Sequence, residues 1–425
     1  MNKQIDQQSA DNIRALAVAM VEKANSGHPG GPMGGADFMH ILYSEFFNYD
    51  PTDMTWPFRD RFFMDAGHLS TLMYAQYYLL GNYKKEDLAN FRQWGSITPG
   101  HPEVDVKRGI ENTSGPLGQG HTMGVGAAIA AKFLQARFGD FITFFDSNDI
   151  QLSTAIDVVT SEDTEMKYKA WGWNVITIDA HNHDEIRKAL TDANNETEKP
   201  TLIVGKTIMG KGCVAADGGV YEGHCELHGQ PIGHTGADYE KTLVNLGADV
   251  NNPFDIFGDV NDFYKKLVER KTAEAAEKKA EIASWRKANV ALADKLDFFL
   301  SGELPELDFS SIEHKAGLAT RAASSGVLGF LAENVENMIV SSADLSNSDK
   351  TDGFLKKTQS LQKGNFSGSF LQAGVAELTM ACIANGIALH GGVVPVVATF
   401  FVFSDYMKPA IRLSAIQELP VKYVW

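Results

Sequence analysis

Residues 111–120 run Glu111-Asn112-Thr113-Ser114-Gly115-Pro116-Leu117-Gly118-Gln119-Gly120, and an Ala-rich stretch follows whose composition predicts a helix over 124–138. The glycines let the backbone pass close to a ligand, and Pro116 fixes one φ angle. Unpaired N–H groups at the start of the following helix face one way and favour an anion there. A lone turn of this kind is also an ordinary loop before a core helix. Its company separates the two readings. His28, His68 and His101 each sit in their own Gly/Pro-rich turn upstream, in Gly27-His28-Pro29-Gly30, Gly67-His68-Leu69 and Gly100-His101-Pro102.

Around this turn the chain alternates apolar segments, breaks and helical patterns. Helical spacing predicts helices over 6–25, 35–47, 72–80 and 87–91, with no regular element across 26–32. A short apolar strand is expected at 60–65. Beyond the central turn come strand 141–145, helix 163–171, strand 174–178, helix 184–193 and strand 201–207, a βαβ rhythm that implies a parallel sheet. A long irregular stretch, 210–231, holds His224 and His228. The charged run 261–296 reads as a helix with a solvated face, and 305–309 as linker. A second α/β unit begins near Leu318, with helix 320–334, strand 338–342, strand 370–373, helix 377–389, strand 393–399, helix 405–418 and a strand over 421–425.

A chain of 425 residues with 44% apolar and 22% charged residues suits two or three soluble domains. The formal charge of −16 argues against a general nucleic-acid or anionic-membrane surface, although a local basic pocket can still hold a small phosphorylated substrate. The three cysteines, Cys213, Cys225 and Cys382, form neither a disulfide framework nor a zinc pattern, which fits a reducing cytoplasm. Residues 1–10 are polar, so no signal peptide is expected, and no apolar run is long enough to predict a membrane span.

Nine strings occur in the order SGHPGGPMG, AGHLS, TPGHPE, GPLGQG, HGQPIG, ATRAAS, SADLSNSD, GVAEL and TFFVFSDY, and together they resemble transketolase across nearly the whole chain. The resemblance implies an α/β fold of two thiamine-diphosphate-binding-type domains, each a mostly parallel sheet flanked by helices. The diphosphate-binding domain with linker helices would span 1–304, the linker 305–317, and an incomplete pyrimidine-binding domain 318–425. The family's third domain has no counterpart before Trp425. A cytoplasmic homodimer with shared active sites is implied, as is transfer of a two-carbon ketol group between sugar phosphates in the pentose phosphate pathway. Thiamine diphosphate and Mg2+ (or Ca2+) are the implied cofactors.

Roles carry over residue by residue as the resemblance implies them. His68, Gly115 and Leu117 would meet the cofactor's diphosphate or thiazole, and Asp344 and Leu345 lie at positions beside it. His28, His101 and His228 would surround the substrate's reacting carbonyl and hydroxyls, work that suits imidazoles because their pKa lies near neutrality. Glu377 would hydrogen-bond the aminopyrimidine, favouring the imino form that takes the thiazolium proton. Phe400, Phe403 and Tyr406 would form the pyrimidine pocket. Arg321 and Ser348 would hold the sugar phosphate. Asn148 and the carbonyl of Ile150 would ligate the cation. His224 has no family counterpart and reads as surface.

One departure from the family is large. The family carries a Gly-Asp-Gly metal motif about thirty residues before the asparagine matched by Asn148. Here Arg137-Phe138-Gly139-Asp140 runs directly into Phe141-Ile142-Thr143. A strand–helix unit and its carboxylate ligand are missing between them. Asp140, at the end of a predicted helix with no glycine after it, is a poor replacement. The same resemblance also admits another thiamine-diphosphate enzyme, such as 1-deoxyxylulose-phosphate synthase, or a non-catalytic scaffold.

Overall fold

The computed structural model describes residues 3–134 and 141–425. From the N-terminus run the helices α1 (Lys3–Ala24), α2 (Gly30–Ile41), α3 (Ser70–Leu79), α4 (Lys85–Ala89) and α5 (Gln119–Phe133). Strands and helices then alternate through β1 (Ile142–Ser147), α6 (Thr164–Ala170), β2 (Asn174–Asp179), α7 (His183–Asn195) and β3 (Thr201–Lys206). Helices α8 (Tyr239–Asn245), α9 (Gly258–Ala288), α10 (Val290–Ser301) and α11 (Thr320–Asn334) lead to β4 (Met338–Ser342). The chain closes with the short α12 (Ser346–Asp349) and α13 (Asp352–Leu355), then β5 (Phe370–Gln372), α14 (Glu377–His390), β6 (Val394–Ala398), α15 (Ser404–Ile416) and β7 (Lys422–Val424). Two compact units result, one of Met1–Gly115 with Asp140–Lys279, the other of Pro116–Gly139 with Ala280–Trp425.

In the first unit α1 is buried nearly all round, from Ile13 and Leu16 to Met20 and Val21. Its Ala, Val, Leu and Met side chains over 15–21 let α2 and α3 pack against it, and a helical stretch this apolar is stable only in a core. The sheet has the order β1-β3-β2, all parallel, with Ile142 and Asn174 both opposite Thr201. Phe38 of α2 stacks on Phe144 of β1 with ring centroids 3.8 Å apart, joining helix to sheet. Side-chain caps start the helices around it: Asp163 accepts the Met166 N–H before α6, and Asn182 accepts those of Asp184 and Glu185 before α7.

The second unit carries a parallel sheet in the order β5-β4-β6-β7. Here α5 crosses α14 at glycines. A Cβ on Gly126 would lie 2.1 Å from the Ile383 carbonyl oxygen, and one on Gly386 only 1.9 Å from that of Met123, so any side chain would push the helices apart.

Several elements differ from the sequence expectation, each for a local reason. Helix α2 begins at Gly30 and includes Pro32, because a proline in the first helical turn gives up an N–H that has no intrahelical partner. Residues 60–65 form no strand. The Met64 N–H donates to Asn112 Oδ1 and the Met64 carbonyl accepts from Asn112 Nδ2, so a side chain takes the place of a ladder. Helix α5 starts at Gln119, five residues earlier than expected, behind Gly118 in the left-handed region (φ 81°). The expected end of that helix, and Asp140, lie outside the described residues. The charged run divides at Asn289 into α9 and α10, and the first half of α9 keeps a solvated face at Asp262, Lys265, Lys266 and Glu269 while burying the opposite stripe, Val260, Tyr264, Leu267 and even Lys271.

Candidate active site

Four loops of the first unit bring His28, His68, His101 and His228 together. His28 precedes α2, and His68 lies in the turn Gly67–Leu69 that leads into α3. His101 follows a loop tied down by two bonds: Ser70 Oγ donates to the Gly100 carbonyl and the Tyr74 hydroxyl to that of Pro99, each at 2.9 Å. His228 closes the turn Cys225–Leu227. Ring centroids stand 4.7 Å apart for His28–His68, 5.2 Å for His68–His228, 5.8 Å for His28–His228 and 6.4 Å for His28–His101.

Glycines permit this convergence. A Cβ on Gly67 would sit 2.0 Å from the Ser114 carbonyl oxygen, so His68 and the Gly-rich turn can be neighbours only with glycine there. A Cβ on Gly30 would strike Met209 Sδ and the Leu227 carbonyl, which lie 2.4 and 2.6 Å away. Beneath the turn, Glu111 is buried and accepts both Arg59 Nε and Nη2, at 2.7 and 2.9 Å.

Burial, with Arg92 and the neighbouring imidazoles, pushes His28 down to about 4. His68 falls to about 3 through burial and the other three rings. Burial also lowers His101 and His228, with Arg92 adding to the effect on His101. At neutral pH the cluster is therefore a set of neutral imidazoles, able both to donate and to accept. His28 Nδ1, His228 Nδ1 and Ser114 Oγ are buried without a partner. Such groups are costly to leave unmatched, so the wall suits a ligand rich in hydroxyl and carbonyl oxygens. A cleft of about 230 Å³ lined by Leu152, Cys225, Glu226, Gly229 and Gln230 opens beside it.

Two groups near the histidines had no sequence signal. Arg92 donates from Nη1 to Ser26 Oγ at 2.6 Å and has φ 61°, which is unusual for a residue with a side chain. Asp37 is buried on α2 and receives Arg14, His181 Nδ1 and His183 Nε2. Although burial opposes it, that ring of donors holds the Asp37 carboxyl far below the usual carboxylate range. His224, read as surface, is exposed and stacks on Tyr221 at 4.1 Å.

At the carboxyl edge of β1 and β3, Asn148 is occupied by its own turn. Its Oδ1 accepts the Ile150 N–H at 3.0 Å, and its Nδ2 donates to Asp146 Oδ2 at 3.1 Å. The Asp146 carboxylate also receives the Thr207 hydroxyl, and burial raises its pKa. Lys206 Nζ lies 2.8 Å from Ser147 Oγ and 3.5 Å from Asp149 Oδ1.

The remaining candidates lie in the second unit, apart from Gly115, which closes the first segment of the first unit. Leu117 is exposed. Glu377 opens α14 and is 8% exposed. The Phe400, Phe403 and Tyr406 rings form a stack, with centroids 6.1 Å apart at each step and planes 17° and 27° apart. Arg321 Nη1 donates to the Ser348 carbonyl at 3.3 Å, which puts those two residues side by side. Asp344 has φ 60°, and Leu345 donates its N–H to Ser342 Oγ at 3.2 Å.

Two α/β units with parallel sheets, one of them carrying a wall of neutral imidazoles, define a class of enzyme site built for oxygen-rich substrates. The family comparison makes that specific. The thiamine diphosphate binding domain of transketolase matches residues 5–141 and 135–305, and its pyrimidine binding domain matches 316–425, so the chain belongs to the transketolase family. It is 37% identical to the transketolase of Halalkalibacterium halodurans, spanning all of this chain and 69% of that one, and 36% identical to that of Bacillus subtilis over 99% and 68%. Transketolase from Leishmania mexicana superposes with a TM-score of 0.90 at 31% identity, over 98% of this chain and 68% of that one. A Pichia stipitis transketolase in complex with sedoheptulose 7-phosphate gives 0.88 at 31%, over 99% and 68%. The first domain matches in two pieces that meet at 135–141, and the H. halodurans alignment runs over 469 positions against the 425 residues of this chain. The two-piece match puts the break where the Gly-Asp-Gly motif is absent, and the longer alignment shows that the relative carries residues this chain lacks.

The orphaned Ser114 Oγ, in the Gly-rich turn, fits a thiamine diphosphate site, while the orphaned His28 and His228 nitrogens are left for a substrate. The cation is another matter. Asn148 is engaged, the carboxylate ligand is missing, and among the described residues no three His, Cys, Asp or Glu side chains gather to hold a metal ion. A divalent ion held by the protein in the family's manner does not fit these residues.

Proposed function

We propose that the chain transfers a two-carbon ketol group from a ketose phosphate to an aldose phosphate, with thiamine diphosphate as cofactor. The convergence of His28, His68, His101 and His228 into one neutral wall carries this reading. His28, His101 and His228 hydrogen-bond the sugar's carbonyl and hydroxyls and move protons as the carbon–carbon bond breaks and forms. His68, Gly115 and Leu117 would hold the diphosphate and thiazole, with Asp344 and Leu345 beside them. Glu377, Phe400, Phe403 and Tyr406 would hold the aminopyrimidine. The cofactor supplies a nucleophilic carbon and an electron sink. Arg321 and Ser348 take the sugar phosphate, an anion suited to a guanidinium. The active form is a homodimer in the cytoplasm with active sites shared between subunits, serving the pentose phosphate pathway.

A coupled assay with xylulose 5-phosphate and ribose 5-phosphate, with cofactor in excess, should give turnover. One observation favours a second reading, a non-catalytic scaffold: the absent Gly-Asp-Gly segment. A scaffold would neither turn over nor bind thiamine diphosphate in a calorimetric titration, whereas the catalytic form does both.

A further inference from the structure

The loops that carry His28 and His228 share a support outside the reacting groups. His181, just before α7, bridges two elements with one ring. Its Nε2 accepts the backbone N–H of Ile208 at 3.0 Å, so that nitrogen carries no proton. The proton sits on Nδ1, which donates to the buried Asp37 carboxylate of α2 at 2.8 Å. Asp37 is itself gripped by Arg14 and by His183 Nε2, at 2.9 Å for the latter, so it is a fixed anchor.

The segment pinned at Ile208 touches the loops of both histidines. The Gly210 N–H donates to the Gly30 carbonyl at 3.0 Å, two residues after His28. The Gly223 N–H donates to the Met209 carbonyl at 2.8 Å, at the start of the loop that leads to His228. Gly34 of α2 faces the Ile208 carbonyl oxygen, 3.2 Å from where a Cβ would be. On the sheet side, the Thr207 hydroxyl bonds Asp146. A shift of 207–210 therefore moves the His28 and His228 loops relative to each other.

We infer that His181 is a positioning residue: by joining Asp37 to the Ile208 N–H, it sets the spacing of the His28 and His228 loops. For its effect on turnover the inference rests on the ketol-transfer reading above, but its structural half does not.

Two readouts test it separately. In His181→Ala, the backbone amides of 207–210 and 223–228 should exchange with deuterium faster than in the wild type while those of α1 are unchanged. His181→Gln, whose planar amide carries both an acceptor and a donor, should restore protection. In the assay, His181→Ala should lose about 10–100-fold in kcat/KM, mostly in kcat, with half-saturating thiamine diphosphate unchanged, and His181→Gln should recover most of the loss. Should His181→Ala fail to fold, Asp37→Asn gives the same exchange test with the anchor's charge removed and its shape kept. Wild-type exchange at 207–210 in the folded variant would overturn the inference, as would an activity loss matched by weaker cofactor binding and not rescued by glutamine. An inactive wild type would instead refute the ketol-transfer reading, and the exchange result would still decide the role of His181.

Discussion

Neighbouring histidine rings on one face of the first unit stand 4.7 to 6.4 Å apart, with orphaned nitrogens at His28 and His228. At the carboxyl edge of the sheet, the Asn148 amide is taken up by the Ile150 N–H and the Asp146 carboxylate, and Asp146 also receives the Thr207 hydroxyl. The first region is poised for a ligand and the second is closed on itself. The difference follows from how each is encoded. Each histidine sits in a short turn whose glycines and prolines set its backbone locally, so the wall survives the loss of a distant segment. The cation clamp needs a carboxylate delivered by a separate strand–helix unit, and deleting that unit removes the charge outright.

The largest expected effects fall on the complete side. His28→Ala and His228→Ala should each lower kcat/KM by about 10²–10⁴, the usual range for a lost general acid–base group. In the second unit, Glu377→Ala should remove most turnover, and unchanged activity would refute its role. A smaller effect tests the incomplete side. Inserting a relative's strand–helix segment with its Gly-Asp-Gly between Asp140 and Phe141 should raise cofactor affinity about 10–100-fold and make it depend on magnesium. If affinity in EDTA and in magnesium stays equal after the insertion, the clamp is not what the chain lacks.

The histidine wall also predicts a pH signature. His28 and His68 fall from 6.5 to about 4 and about 3 on folding, so below pH 6.5 the unfolded chain binds more protons than the native one. The stability tied to these residues is full above pH 6.5 and is lost as pH drops toward 4 and below. The thermal midpoint should fall across that window, and His68→Asn should flatten the fall. The smallest effect belongs to Asn148→Ala. Its amide serves its own turn, so cofactor affinity should change by no more than about twofold, or ~0.5 kcal/mol.

Much of this was legible in the sequence because its signals are local. The expected helix over 320–334 matches α11 residue for residue, and α3, α7 and the seven strands fall where periodicity and turn residues put them. The four site histidines announce themselves through the Gly and Pro beside them. What stayed hidden is tertiary. Residues 60–65 look like a strand, but Asn112, far along the chain, takes both backbone hydrogen bonds of Met64. Lys271 looks solvated, yet it is buried and donates to the Phe47 carbonyl at 2.9 Å. Asp37 and His181 are separated by six elements of secondary structure and carry no turn or spacing that links them. No helix among the described residues is long and apolar enough to cross a membrane.

The contrast between the two regions is tested most directly by measuring ketol transfer from xylulose 5-phosphate to ribose 5-phosphate across a range of thiamine diphosphate concentrations, once in EDTA and once in magnesium. Turnover is expected in both, with half-saturating cofactor concentrations differing by less than about tenfold, or 1.4 kcal/mol. Absence of turnover at saturating cofactor, or turnover in magnesium alone, would contradict that contrast.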